Sequence, residues 1–131
     1  MMNQLKQNLI IKRIIKKVKQ DKDALGVAIF GSYARGESYR DIDICIFLKP
    51  AEYNALTLTD KKLEYTEENE MYDVQIFQHL PLYIRIRIIN EGKILFCKDE
   101  DALYDLYFST LQAYEHFKPL YEGYLEAVLN G

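Results

Sequence analysis

Cysteine is scarce in this chain. Cys45 and Cys97 are the two it has, and no close spacing links them. They make neither a zinc knuckle nor a disulfide framework, and they read as core thiols of a reducing compartment. A basic excess is also missing, since 17 Lys and Arg face 20 Asp and Glu for a net charge of −3. Domains that wrap nucleic acid carry a clear positive surplus, so no direct nucleic-acid partner is expected. Nucleotide binding stays open, because a metal ion can bring the positive charge. No apolar run is long enough to span a bilayer. Near the N-terminus Lys6, Lys12, Arg13, Lys16, Lys17 and Lys19 interrupt every apolar stretch, so no signal peptide is read and a cytoplasmic protein is expected. There is no internal repeat, linker or low-complexity segment. His79 and His116 have no Cys or His at ligand spacing and read as structural residues. What remains is an ordinary globular composition, 49% hydrophobic and 28% charged over 131 residues, read as one domain over 1–131 that buries its own core.

The informative stretch is 30–47, FGSYARGESYRDIDICIF. The apolar run Val27, Ala28, Ile29, Phe30 stops at Gly31, as a buried strand would. Gly31-Ser32 permits a sharp turn and leaves backbone N–H groups free for an anion. From Asp41 the pattern alternates. Asp41, Asp43 and Cys45 point one way along a strand, and Ile42, Ile44 and Ile46 the other. Two carboxylates on one strand face repel each other, and a divalent cation is the natural agent to hold them together.

In chain order, 3–20 reads as an amphipathic helix with Leu5, Leu9, Ile11, Ile14, Ile15 and Val18 at helical spacing. Strands are expected at 24–30, 42–48, 71–77 and 93–97, with a short helix over 32–35. A further short helix is expected at 61–68, and 67–70 reads as a solvated acidic run, as does Glu37 in its loop. Residues 80–90 look helical, with Pro81 in the first turn and Gly92 past the end. Asp99-Glu100-Asp101 opens a long final helix, which Pro119 should divide into 100–116 and 118–129. The fold class is α/β, a small mixed sheet with flanking helices.

Gly31-Ser32, a spacer, then Asp41 and Asp43 on the next strand resemble the nucleotidyltransferase superfamily that includes DNA polymerase beta. The run 31–37, the 90–99 segment NEGKILFCKD and 117–120, FKPL, resemble its minimal nucleotidyltransferases (MNT) in particular. The spacer of residues 33–40 is shorter than the family's usual ~10 residues. The resemblance implies a polymerase-beta-like fold and Mg²⁺-dependent nucleotidyl transfer from ATP. Asp41 and Asp43 would hold two metal ions. Asp73, in the segment Asp73-Val74-Gln75-Ile76, would supply the third carboxylate and take the acceptor's proton. Ser32 and the backbone N–H groups of Gly31 and Ser32 would hold the β- and γ-phosphates, with Arg35 adding charge. Stand-alone MNT proteins pair with HEPN-domain RNase toxins and transfer AMP to a toxin tyrosine, so an antitoxin is the expected role. Residues 1–131 hold no separate acceptor-binding domain, which fits a protein acceptor. The alternatives are a non-catalytic nucleotide- or toxin-binding subunit and a transferase acting on a small molecule.

The final helices carry more apolar positions than one core face needs. Tyr104, Tyr107, Leu111, Tyr114, Tyr121, Leu125 and Val128 fall at steps of three and four, joined by Leu103, Leu106, Phe108, Phe117, Leu120 and Tyr124. A broad core face and a partner or self-association surface are both compatible with this pattern. On the second reading Tyr107, Tyr114 and Tyr121 are the expected anchors.

Overall fold

The computed structural model describes residues 4–36, 41–66 and 72–130, with side chains throughout these except at 4–7 and 121. The expectations for Leu5, Glu37, Met71, the Tyr121 side chain and the acidic run 67–70 lie outside the described residues.

Ten elements follow in the order α1 (Gln4–Gln20), β1 (Ala24–Phe30), α2 (Gly31–Ala34), β2 (Ile42–Leu48), α3 (Ala55–Tyr65), β3 (Tyr72–Ile76), a 3-10 turn (Phe77–His79), α4 (Leu82–Glu91), β4 (Lys93–Cys97) and α5 (Glu100–Asn130). The sheet order is β3-β2-β1-β4. β1 runs antiparallel to both β2 and β4, while β2 and β3 pair in parallel. A parallel pair needs a crossover, and α3 is carried in it. The expected mixed sheet with flanking helices is what forms.

Strand alternation feeds two cores. Val27, Ile29, Ile42, Ile44, Ile46, Val74 and Ile76 face α1 and α3, and meet Ile10, Ile14, Val18, Leu58 and Tyr65. Ala28, Cys45, Phe47 and Phe77 turn to the other face, where Ile88 of α4 and Leu103 of α5 cover them. Both faces of β2 are therefore buried, and Asp43 belongs to the α4 side.

Three expectations need correcting. In α1 the buried stripe is Ile10, Ile14 and Val18, a four-residue step, whereas Leu9 is exposed. Apolar residues also stand beside that stripe, so the sequence offers two overlapping faces and packing selects one. The helix before β3 begins at Asn54, whose side chain accepts from the Thr57 N–H as an N-cap, and it runs over Ala55–Tyr65. Finally, α5 is one helix of 31 residues, with Pro119 inside it. Proline removes one i→i−4 bond there. Residues 115–120 are exposed on every side, so water can serve the Glu115 carbonyl and the flanking turns continue.

Candidate active site

The site forms where β1 ends and β2 and β3 begin. Gly31 follows β1 with φ 75°, a left-handed conformation that glycine adopts freely. A Cβ at this position would overlap Asp43 Oδ2, so the absence of a side chain lets the turn lie against that carboxylate. Phe30 pairs with Asp43 across β1 and β2, and Asp43 pairs with Asp73 across β2 and β3. Adjacent strands are only ~4.8 Å apart, so the parallel register sets the two carboxylates side by side.

Asp43, Asp73, Gly31, Ser32 and Arg35 line one cleft of ≈ 370 Å³, together with Phe30, Gln75 and the α4 side. Asp41 stands one residue before β2 and does not line this cleft, but its charge reaches Asp43. Partial burial pushes the Asp43 carboxyl above its ordinary value. The charges of Asp73 and Asp41 add to that, and Arg35 opposes them. Arg35 is tied across the cleft by Nη1 to Glu91 Oε2 at 3.2 Å, and Arg87 Nη2 approaches the same oxygen at 4.0 Å. Gln75 Nε2 donates to Asp73 Oδ2 at 3.2 Å, and Lys62 Nζ donates to Gln75 Oε1 at 3.4 Å.

Among the described residues no three His, Cys, Asp or Glu side chains converge as a ready-made metal cage. Magnesium does not require one. It is commonly held by one or two carboxylates, with waters and substrate phosphates completing an all-oxygen shell. The Asp43–Asp73 pair, where burial and the neighbouring carboxylate charge raise the Asp43 pKa, fits such an ion.

The family profile described as Polymerase beta, Nucleotidyltransferase matches residues 12–101. The chain belongs to this nucleotidyltransferase family. It is 37% identical over 71 residues to a Methanocaldococcus jannaschii protein that carries the provisional name protein adenylyltransferase. That alignment spans 54% of this chain and 54% of the relative, about half the length of each. In fold, the nucleotidyltransferase is similar to a chain from the structure of a tri-AMPylated Shewanella oneidensis HEPN toxin in complex with its MNT antitoxin. The TM-score is 0.68 with 18% identity, covering 94% of this chain and 98% of that one. A chain of a toxin–antitoxin structure with AMP-PNP superposes with TM-score 0.66 at 18% identity, over 92% and 97% of the two chains.

The residues singled out by motif, Asp41 excepted, line one side of the cleft, and none of them stands on its opposite wall. Leu80, Ile84, Arg87 and Glu91 line that wall. Within α4, Ile84, Arg87 and Glu91 follow at steps of three and four residues and mark one helix face, a visible signal. Nothing in the sequence said that this face would turn toward Asp43.

Proposed function

We propose that this nucleotidyltransferase transfers AMP from ATP to a protein hydroxyl, a tyrosine of a HEPN-domain toxin, and thereby acts as the antitoxin of the pair. The observation that carries the transfer chemistry is the in-register Asp43–Asp73 pair beneath the Gly31 turn. The acceptor rests on the relative named as a protein adenylyltransferase and on the AMPylated toxin in the similar complex.

In this reading Asp43 and Asp73, with Asp41 beside them, hold Mg²⁺. When bound there, the ion would supply positive charge against the triphosphate and would lower the pKa of the acceptor hydroxyl. Ser32 and the N–H groups at the Gly31 turn hold the β- and γ-phosphates, and Arg35 turns from Glu91 toward them. The acceptor oxygen bonds to the α-phosphorus, the bond to pyrophosphate breaks, and the acceptor's proton passes to Asp73. Gln75 Nε2 donates to Oδ2 of Asp73, and Oδ1 would be the oxygen that takes the proton.

The toxin would dock on α5. Beyond residue 110 most described side chains of that helix are exposed. Phe117, Leu120, Tyr124 and Val128 stand exposed at three- and four-residue steps, Leu120 at 75%. Apolar surface of this extent marks an interface. Tyr107 is removed from the expected anchors. It packs on the α4–α5 core with its ring 5.8 Å from that of Phe47 and 6.3 Å from that of Phe77, and burial pushes its hydroxyl pKa up. Tyr114 is half-buried.

The test is incubation with α-labelled ATP, Mg²⁺ and the co-expressed toxin. Label should appear on the toxin and vanish with EDTA or with Asp43→Asn. ATP binding that is equally tight in EDTA, with no labelled toxin, would point to a non-catalytic subunit. Label on a small molecule would replace the protein acceptor.

A further inference from the structure

The amide of Gln75 lies between two groups of opposite hydrogen-bonding character. An ammonium such as that of Lys62 can only donate, and a carboxylate such as that of Asp73 accepts. Lys62 Nζ reaches Gln75 Oε1 at 3.4 Å, and Gln75 Nε2 reaches Asp73 Oδ2 at 3.2 Å. One orientation of the amide satisfies both ends and the flipped orientation satisfies neither. Lys62, on the crossover helix α3, therefore determines which way Gln75 faces, and Gln75 determines where one oxygen of Asp73 sits. Asp73 needs such a tether, because its in-register neighbour is the carboxylate of Asp43. Unrestrained, the two like charges would rotate apart and the cleft would lose its paired oxygens.

We infer that Gln75, oriented by Lys62, is a positioning residue that pins Asp73 Oδ2 and so presents Oδ1 beside Asp43. This deepens the transferase reading and rests on it. Lys62 sits outside the Gly-Ser and aspartate motif, and Gln75 follows its third aspartate by two residues. Gln75 shares a strand face with Asp73, and Lys62 comes from α3, which packs its Leu58 and Tyr65 in one core with Val74 and Ile76 of β3. Groups that orient metal-binding side chains from behind typically change metal affinity or activity about 10–100-fold when removed.

The experiment is calorimetric titration of the full chain with Mn²⁺ in the presence of a non-hydrolysable ATP analogue. It covers wild type, Gln75→Met, Lys62→Met, the double variant and Lys62→Arg, each checked by thermal melting. Gln75→Met keeps the length of the side chain without a donor and should weaken Mn²⁺ binding about tenfold or more at unchanged Tm. Lys62→Met should weaken it several-fold, yet add nothing in the Gln75→Met background, because its effect passes through the amide. Lys62→Arg keeps a donor and should bind as wild type does. Wild-type affinity in Gln75→Met, or an equal Lys62→Met loss in both backgrounds, overturns the positioning role and leaves the transferase reading standing. Lys62→Met is partly exposed and independent of the strand, so it decides the matter if Gln75→Met fails to fold. A wild type that binds neither Mn²⁺ nor nucleotide overturns the transferase reading and this inference with it.

Discussion

Asp43 sits in an environment arranged against its own charge. Burial and the charges of Asp73 and Asp41 raise its pKa, with Arg35 opposing. A carboxyl with a raised folded pKa destabilises the metal-free protein once the pH exceeds that value, because the unfolded chain ionises more readily. Asp43→Asn removes the charge at little change in size. The apo variant should melt at the same temperature or up to about 4 °C higher in calorimetry without metal, while Mn²⁺ binding is lost. A clearly lower Tm would mean that the carboxylate stabilises the fold. Asp43 and Gly31 could be read from the sequence because their chemistry is local, a turn followed by an alternating acidic strand. Gln75, Arg87 and Glu91 could not. Their roles depend on β3 pairing in parallel with β2 and on which face α4 turns inward, and neither is encoded at short range.

Between elements, the end of the sheet remote from the cleft is held by a polar clasp. Asp21, in the turn after α1, accepts from Lys61 Nζ at 3.0 Å and from the Tyr65 hydroxyl at 2.8 Å, both on α3, while Lys98 Nζ donates to the Asp21 carbonyl. Burial alone would raise the Asp21 pKa. The Asp23 N–H, Lys61 and Tyr65 outweigh burial and hold it below 3.8. With a depressed folded pKa, the stabilisation is complete above the unfolded value, near 4, and is lost as the pH falls through the folded value. Asp21→Asn should cost ~1–3 kcal/mol at pH 7 by urea denaturation, since it weakens the set of partners around buried Lys61. It should also flatten the decline in stability below about pH 4. An unchanged acid limb would show that other carboxylates control it. Strand limits were legible because each apolar run is bounded by glycine, proline or charge. The start of α3 depended on the Asn54 cap in a weakly patterned segment. The continuity of α5 goes with the exposure of residues 115–120 around Pro119, which no sequence pattern records.

At the scale of the whole molecule, α5 has two different halves. The first closes the core through Leu103, Leu106 and Tyr107, and the second stands clear of the sheet. Tyr107→Ala should therefore destabilise the isolated chain by ~2 kcal/mol or more, as core aromatic truncations do. Leu120→Ala/Tyr124→Ala should leave its melting unchanged and abolish co-purification of the toxin. Loss of a dimer of this chain, with toxin binding intact, would assign the stripe to self-association instead. Of the two alternatives offered by the sequence, the core face describes the first turns of the helix, and the interface is the proposal for the exposed later ones. Periodicity alone could not divide them.

The uninterrupted α5 also changes how the protein moves through water. At about 1.5 Å per residue its 31 residues reach about 46 Å, whereas a compact 100-residue domain has a radius of gyration near 13 Å. A rod this long on so small a body raises friction out of proportion to mass, and end-over-end tumbling becomes slower than spin about the rod. The free monomer would run ahead of its 15.5 kDa on a sizing column and pass for a larger species, so its stoichiometry has to be measured by scattered light and not by elution volume.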